Sequence, residues 1–148
     1  MRTPVILVGV DGSPESRAAL RWALEEAPHR GARVEAMLVH QQEPAFVPAT
    51  SMGFNPHGEM PQRHPARELH DAVQHVRATM PDAPDVTETV VVGDAADHLA
   101  AASKHAELIV IGNRGRGRVA EFVSTGVTAD CVRHATCPVV VIPSKRRS

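Results

Sequence analysis

The run Gly112-Asn113-Arg114-Gly115-Arg116-Gly117-Arg118 is the part of this chain best suited to binding chemistry. It leaves the apolar stretch Leu108–Ile111 and leads into a segment with helical spacing. Glycines in such a turn let the backbone bend sharply and bring its N–H groups close to a ligand. The helix N-terminus beyond the turn favours an anion, because its first N–H groups lack partners inside the helix. Arginine matches phosphate oxygens through a planar fork of donors. No Gly-Lys-Ser/Thr follows, so the run is not a Walker loop. Taken alone, it also fits a plain turn with solvated arginines.

Asp11 is the second candidate. It follows Val5-Ile6-Leu7-Val8-Gly9-Val10, at the carboxyl end of an expected buried strand. In doubly wound sheets ligands bind outside that edge, at the point where strand order reverses. A carboxylate there accepts hydrogen bonds from a ribose hydroxyl or helps hold a metal; its alternative role is to cap the helix opened by Ser13.

Other residue types give no constellation. Among the nine histidines, His70 and His75 miss the i, i+4 spacing of paired ligands, and His57 and His64 have no carboxylate-rich companions, so no metal site is expected. Asp11-Gly12-Ser13-Pro14 is not a nucleophile elbow, and no catalytic residues are expected. The spacing of Cys131 and Cys137 is neither a redox CxxC nor a usual zinc pattern. Both read as small core residues in a reducing compartment.

The elements that must position these residues follow from periodicity. Val5–Val10 is a continuous apolar run, the pattern of a strand buried on both faces. Ser13 as N-cap and Pro14 at the first helical position open a helix with Leu20, Ala23, Leu24 and Ala27 on one face; Pro28 falls near its end and Gly31 is its stop. Arg33–His40 is a second strand. Residues 41–65, rich in proline, read as a long flexible loop: a flap over a site or a tolerated insertion. A helix resumes near Ala66, with Leu69, Ala72, Val73, Val76 and Met80 inward, and Pro81 and Pro84 end it.

Val86–Val92 is a third strand, and Asp94 caps a helix with Ala95, Leu99, Ala102 and Ala106 inward. Leu108–Ile111 is a fourth strand. After the Gly/Arg run comes a helix with Val119, Phe122 or Val123, Val127 and Cys131 inward, then the strand Pro138–Ile142 and a basic tail. Strands alternating with helices predict one doubly wound α/β domain over 1–148, a parallel sheet with helices on both faces.

Composition narrows the function. The chain has 148 residues, 43% of them hydrophobic, which supports one domain with a real core. Its formal net charge is −1 and aromatics are only 3%, which argues against nucleic-acid binding. No apolar run reaches the roughly 18 residues of a membrane span. Asp11 follows the first apolar block where a signal peptide needs small residues, so a cytoplasmic protein is expected.

In combination and order, these segments resemble the universal stress protein family. The resemblance is carried by Ile6-Leu7-Val8-Gly9-Val10-Asp11-Gly12-Ser13, Leu38-Val39-His40, Gly93-Asp94, Leu108-Ile109-Val110-Ile111-Gly112-Asn113-Arg114-Gly115, and His134-Ala135-Thr136-Cys137-Pro138 through Ile142. It implies a five-stranded parallel sheet of order 3-2-1-4-5, with Asp11 and the Gly112 turn on one crevice. It further implies a dimeric stress regulator that binds ATP or a related adenine nucleotide, with Mg²⁺ bridging phosphates and at most slow, incidental ATP hydrolysis. Gly9, Val10 and Asp11 would line the nucleoside side, and Gln41 would meet the adenine edge. Gly112, Arg114 and Gly115, with Thr125, Gly126, Val127 and Thr128, would hold phosphates. The homodimer would form through the last strand, Val139–Ile142.

The family's phosphate pattern is Gly-x2-Gly-x9-Gly-Ser/Thr. Gly112 and Gly115 match its first half, whereas Thr125-Gly126 reverses the expected order of the second. Either Thr125 or Thr128 supplies the displaced hydroxyl, or binding is weakened or lost. In the latter case the chain is a nucleotide-free dimeric interaction module of the same fold.

Overall fold

A computed structural model describes residues 3–40, 64–113 and 126–143. Gln41, Arg114, Gly115, Thr125, the inward positions expected at 119, 122 and 123, nearly all of the 41–65 loop and the basic tail lie outside the described residues.

Five strands form one parallel sheet in the order β3-β2-β1-β4-β5, as expected. They are β1 (Val5–Gly9), β2 (Arg33–His40), β3 (Val86–Val92), β4 (Leu108–Asn113) and β5 (Val139–Pro143). The described helices are α1 (Pro14–Arg30), α2 (Pro65–Arg77), α3 (Ala95–Ala102) and α4 (Val127–His134), and a single 3-10 turn, Ser103–His105, extends α3. β1 is central: Ile6 pairs with Val34 of β2 on one side and with Leu108 of β4 on the other.

Strand alternation divides the core in two. Ile6, Val8 and Val10 face α1 and α2 and pack with Leu20, Leu24, Leu69 and Val73. Leu7 faces the other way and joins Met37, Leu99, Ile109, Ile111 and Cys131 beneath α3 and α4. Burying each such aliphatic side chain contributes about 1.5–3 kcal/mol, so the two clusters together dominate the stability. Edge strand β3 carries Thr87, Glu88 and Thr89 and leaves Val90 and Val92 exposed, because it has a neighbour on one side only.

The ends of α1 obey local rules. Ser13 Oγ accepts the Ser16 N–H at 3.1 Å, Pro14 starts the helix, and Gly31 closes it at φ 59°, a left-handed conformation natural to glycine. The helix runs through Pro28 to Arg30. Asp94 caps α3 by accepting the Asp97 N–H at 3.0 Å.

Three expectations need correction. α2 stops at Arg77, before Met80, because Thr79 Oγ1 takes up the Val76 carbonyl at 2.8 Å and Pro81 biases Met80 away from helical geometry. Met80 still packs, half-buried, on the α1–α2 cluster. Ala96, not Ala95, is the alanine that α3 buries, and Ala102 and Ala106 only edge onto the core. Val127, expected inward, is 38% exposed, because it is the first residue of α4 and sits above the sheet edge.

Candidate functional site

The carboxyl ends of β1 and β4 part at the centre of the sheet, where the chain leaves β1 for α1 on one face and reaches β4 from α3 on the other. Such a reversal leaves a crevice. Here it encloses about 120 Å³ and opens to solvent. Gly9, Val10, Asp11, Gly112, Val127 and Thr128, all singled out in the sequence, line it. Gly126 is the N-cap of α4, next to the lining pair.

Asp11 sits in a tight turn between β1 and α1. Its Oδ1 accepts the Ser13 N–H at 2.9 Å, and its own N–H donates to Ser16 Oγ at 3.3 Å. Arg17 donates to the Gly12 carbonyl at 2.6 Å and closes the turn from outside. The carboxylate thus serves the helix start, the alternative role set out for it, while remaining exposed on the crevice.

Two glycines make room for packing. A Cβ on Gly9 would lie 3.2 Å from Ile111 Cγ2 and 3.4 Å from Leu99 Cδ1, so a bare α-carbon keeps the crevice floor level. A Cβ on Gly112 would run into the backbone carbonyl of Glu15 in the first turn of α1. Close approach of helix to strand therefore demands glycine at 112, independently of any ligand.

The opposite wall is the start of α4. Gly126 has extended backbone (φ −97°, ψ −168°) and offers no side chain to the first N–H groups; the first bond inside the helix runs from Asp130 N–H to the Gly126 carbonyl. By contrast, Ser13 and Asp94 satisfy the starts of α1 and α3 with side-chain oxygens. The start of α2, at His64, also lacks a side-chain cap but lies away from the crevice.

Several lining residues were not anticipated. Met37 and Val39 come from β2, Leu99 from α3, Ile111 from β4, Ser13 from the cap of α1 and Ser16 from its first turn. Their signal was available in the period of two: residues 37 and 39 share the face of Gly9 once β2 is set parallel to β1.

Cys131 is fully buried beside the crevice floor. Burial, with Asp130 and Asp94 adding smaller contributions, pushes its thiol up from 9.0 to about 11. Burial likewise raises Cys137. Both fit the core role, since reactive cysteines need the opposite shift. Among the described residues no group of three or more His, Cys, Asp or Glu could hold a metal ion, and no helix is long and apolar enough to cross a membrane.

Comparison with known proteins agrees with this geometry. The sequence model of the universal stress protein family matches residues 3–143. The chain belongs to this family. A universal stress protein of Mycobacterium tuberculosis H37Rv is 33% identical over 141 residues, covering 93% of this chain and 46% of that protein. A relative in Mycolicibacterium smegmatis is 31% identical over 143 residues, with 93% and 47% coverage. The chain thus spans about half the length of the curated relatives it matches.

Among solved structures, a universal stress protein from Archaeoglobus fulgidus in complex with dAMP is 26% identical, with a TM-score of 0.58 over 95% of this chain and 98% of that one. Another family member, in complex with cAMP, is 24% identical with a TM-score of 0.65 over 94% and 95%, which establishes the shared fold.

Proposed function

We propose that this chain binds an adenine nucleotide, ATP with Mg²⁺, in the crevice between β1 and β4, and acts in the cytoplasm as a dimeric stress regulator. The observation that carries the reading is the convergence of Asp11 and the α4 start on one crevice. An exposed carboxylate suits ribose hydroxyls, and uncapped N–H groups at a helix start suit phosphate. The A. fulgidus relative with dAMP lends support from the ligand side.

In this reading Asp11 accepts from the ribose. Backbone N–H groups of Val127 and Thr128 and the Thr128 hydroxyl donate to phosphate oxygens, joined by Gly112, Arg114, Gly115, Thr125 and Gly126. Met37 and Val39 give the base an apolar floor, with Gln41 at its edge. Mg²⁺, held by the phosphates, would neutralise their charge. The role in this reading is binding and signalling, with at most slow, incidental ATP hydrolysis.

The dimer forms through β5. This strand is an edge of the sheet, and Val139, Val140, Val141 and Ile142 are only half-buried. Such an edge presents unpaired backbone groups, and antiparallel pairing about a twofold axis satisfies both copies.

A second reading, a nucleotide-free interaction module, is favoured by the reversed Thr125-Gly126 pair. Titration calorimetry with millimolar ATP and Mg²⁺ separates the two. Micromolar affinity, about −8 kcal/mol, supports the nucleotide reading; no heat and no thermal shift support the module.

A further inference from the structure

Ser16 stands at the third position of α1, where capping requires only its backbone N–H, which donates to Ser13 Oγ at 3.1 Å. Any residue would supply that donor. The hydroxyl is surplus to the cap, yet it is buried, 4% exposed, on the helix face that otherwise carries Ala19, Leu20 and Ala23. An alanine would fill that place without a polar group to satisfy.

The hydroxyl makes two bonds. It donates to the Ser13 carbonyl at 3.0 Å and accepts the Asp11 N–H at 3.3 Å. Ser13 N–H in turn donates to Asp11 Oδ1 at 2.9 Å. The three residues form a closed circuit that fixes both the backbone and the carboxylate of Asp11. A capping box returns a side chain from the third helical position to the cap itself; here the side chain reaches two residues further back, to the residue on the crevice wall.

We propose that Ser16 is a positioning residue: its hydroxyl holds Asp11 so that the carboxylate is presented to the vicinal hydroxyls of a ribose. The proposal rests on the nucleotide reading above and extends it to a residue that need not touch the ligand. A carboxylate recognises a diol only from a fixed orientation, because two acceptor–donor distances must be met together.

The test compares ATP with 2′,3′-dideoxy-ATP, which lacks the hydroxyls, by titration calorimetry on the full chain. The variants are Ser16→Ala, Asp11→Ala and the double substitution. Ser16→Ala is expected to weaken ATP about fivefold, the worth of roughly one net hydrogen bond, and to leave dideoxy-ATP within twofold of the parent. Added to Asp11→Ala, it costs nothing further. Ser16→Cys, similar in size but a poor acceptor, gives the same pattern if Ser16→Ala does not fold; Ser16→Thr, which keeps the hydroxyl, retains discrimination between the two ligands.

Equal loss for both ligands would reduce Ser16 to a general structural role, and unchanged ATP affinity or additive losses in the double variant would also overturn the proposal. In each of those outcomes the parent binds ATP and the nucleotide reading stands. A parent that binds neither ligand at millimolar concentration overturns that reading, and this proposal with it.

Discussion

Gly112 of β4 and Glu15 of α1 meet backbone to backbone: a Cβ on Gly112 would fall inside contact distance of the Glu15 carbonyl and 2.9 Å from the Glu15 Cβ. A residue that the sequence offers as a phosphate ligand is thus also the seat of a helix. Gly112→Ala should lower stability by about 1–3 kcal/mol, the usual cost of overpacking. Urea unfolding in the absence of nucleotide checks this. A stability unchanged from the parent would mean that α1 can move away from β4 at no cost.

Gly115 separates the two roles, since it lies in the same run and was chosen on ligand grounds alone. Gly115→Val should abolish measurable ATP binding while leaving the melting temperature within about 2 °C, because a branched side chain keeps phosphate from the backbone. Undiminished binding by calorimetry would remove this turn from the site.

Gly126 has an extended backbone open to any residue and supplies no cap to α4. Gly126→Asp should raise stability by about 0.3–1 kcal/mol, through capping and the helix dipole. The same carboxylate would occupy the anion position and repel phosphate. Tighter folding with weaker ATP binding, seen together in thermal melts and calorimetry, is the expected signature; parallel changes would place the phosphates elsewhere.

Val140 and Val141 lie on the open edge strand, packed on opposite faces of the sheet. Val140→Lys and Val141→Lys each put a charge into the expected twofold contact and should yield monomer by light scattering. A dimer that survives both substitutions forms through another surface.

Cys131 gives a pH prediction. Its folded-state thiol titrates near 11 and an exposed thiol at 9.0, so the unfolded chain releases this proton first. Stability from this group is complete below pH 9 and is lost as pH rises from 9 to about 11. Unfolding midpoints at pH 8 and pH 10.5 should differ less in Cys131→Ala than in the parent.

Where neighbouring residues decide the structure, the sequence could be read directly. Ser13, Pro14 and Gly31 delimit α1 through capping chemistry that acts within a few residues. The bounds of β2 and β3 agree with the hydrophobic pattern because Gly or turn residues adjoin them. The crevice was only half legible. Asp11 and Gly112 stood out by type, whereas Ser16 looked like one more polar residue in a helix, and the need for glycine at 112 depends on Glu15, nearly a hundred positions earlier. Val127 was misplaced because helical periodicity takes no account of where a helix begins. Non-local contacts of this kind leave no spacing to detect.

The central position of β1 has a consequence for synthesis. Its pairing with β2 is made within the first forty residues, but Ile6 waits for Leu108, roughly a hundred residues later. At about 5–20 residues per second, a ribosome exposes the unpaired apolar edge of β1 for several seconds before β4 emerges. During that interval β1, β2 and β3 can form only half a sheet, with Leu7 uncovered by β4, α3 or α4. Both walls of the crevice cannot coexist until α4 is made, so the growing chain exposes apolar surface well before it can receive a ligand.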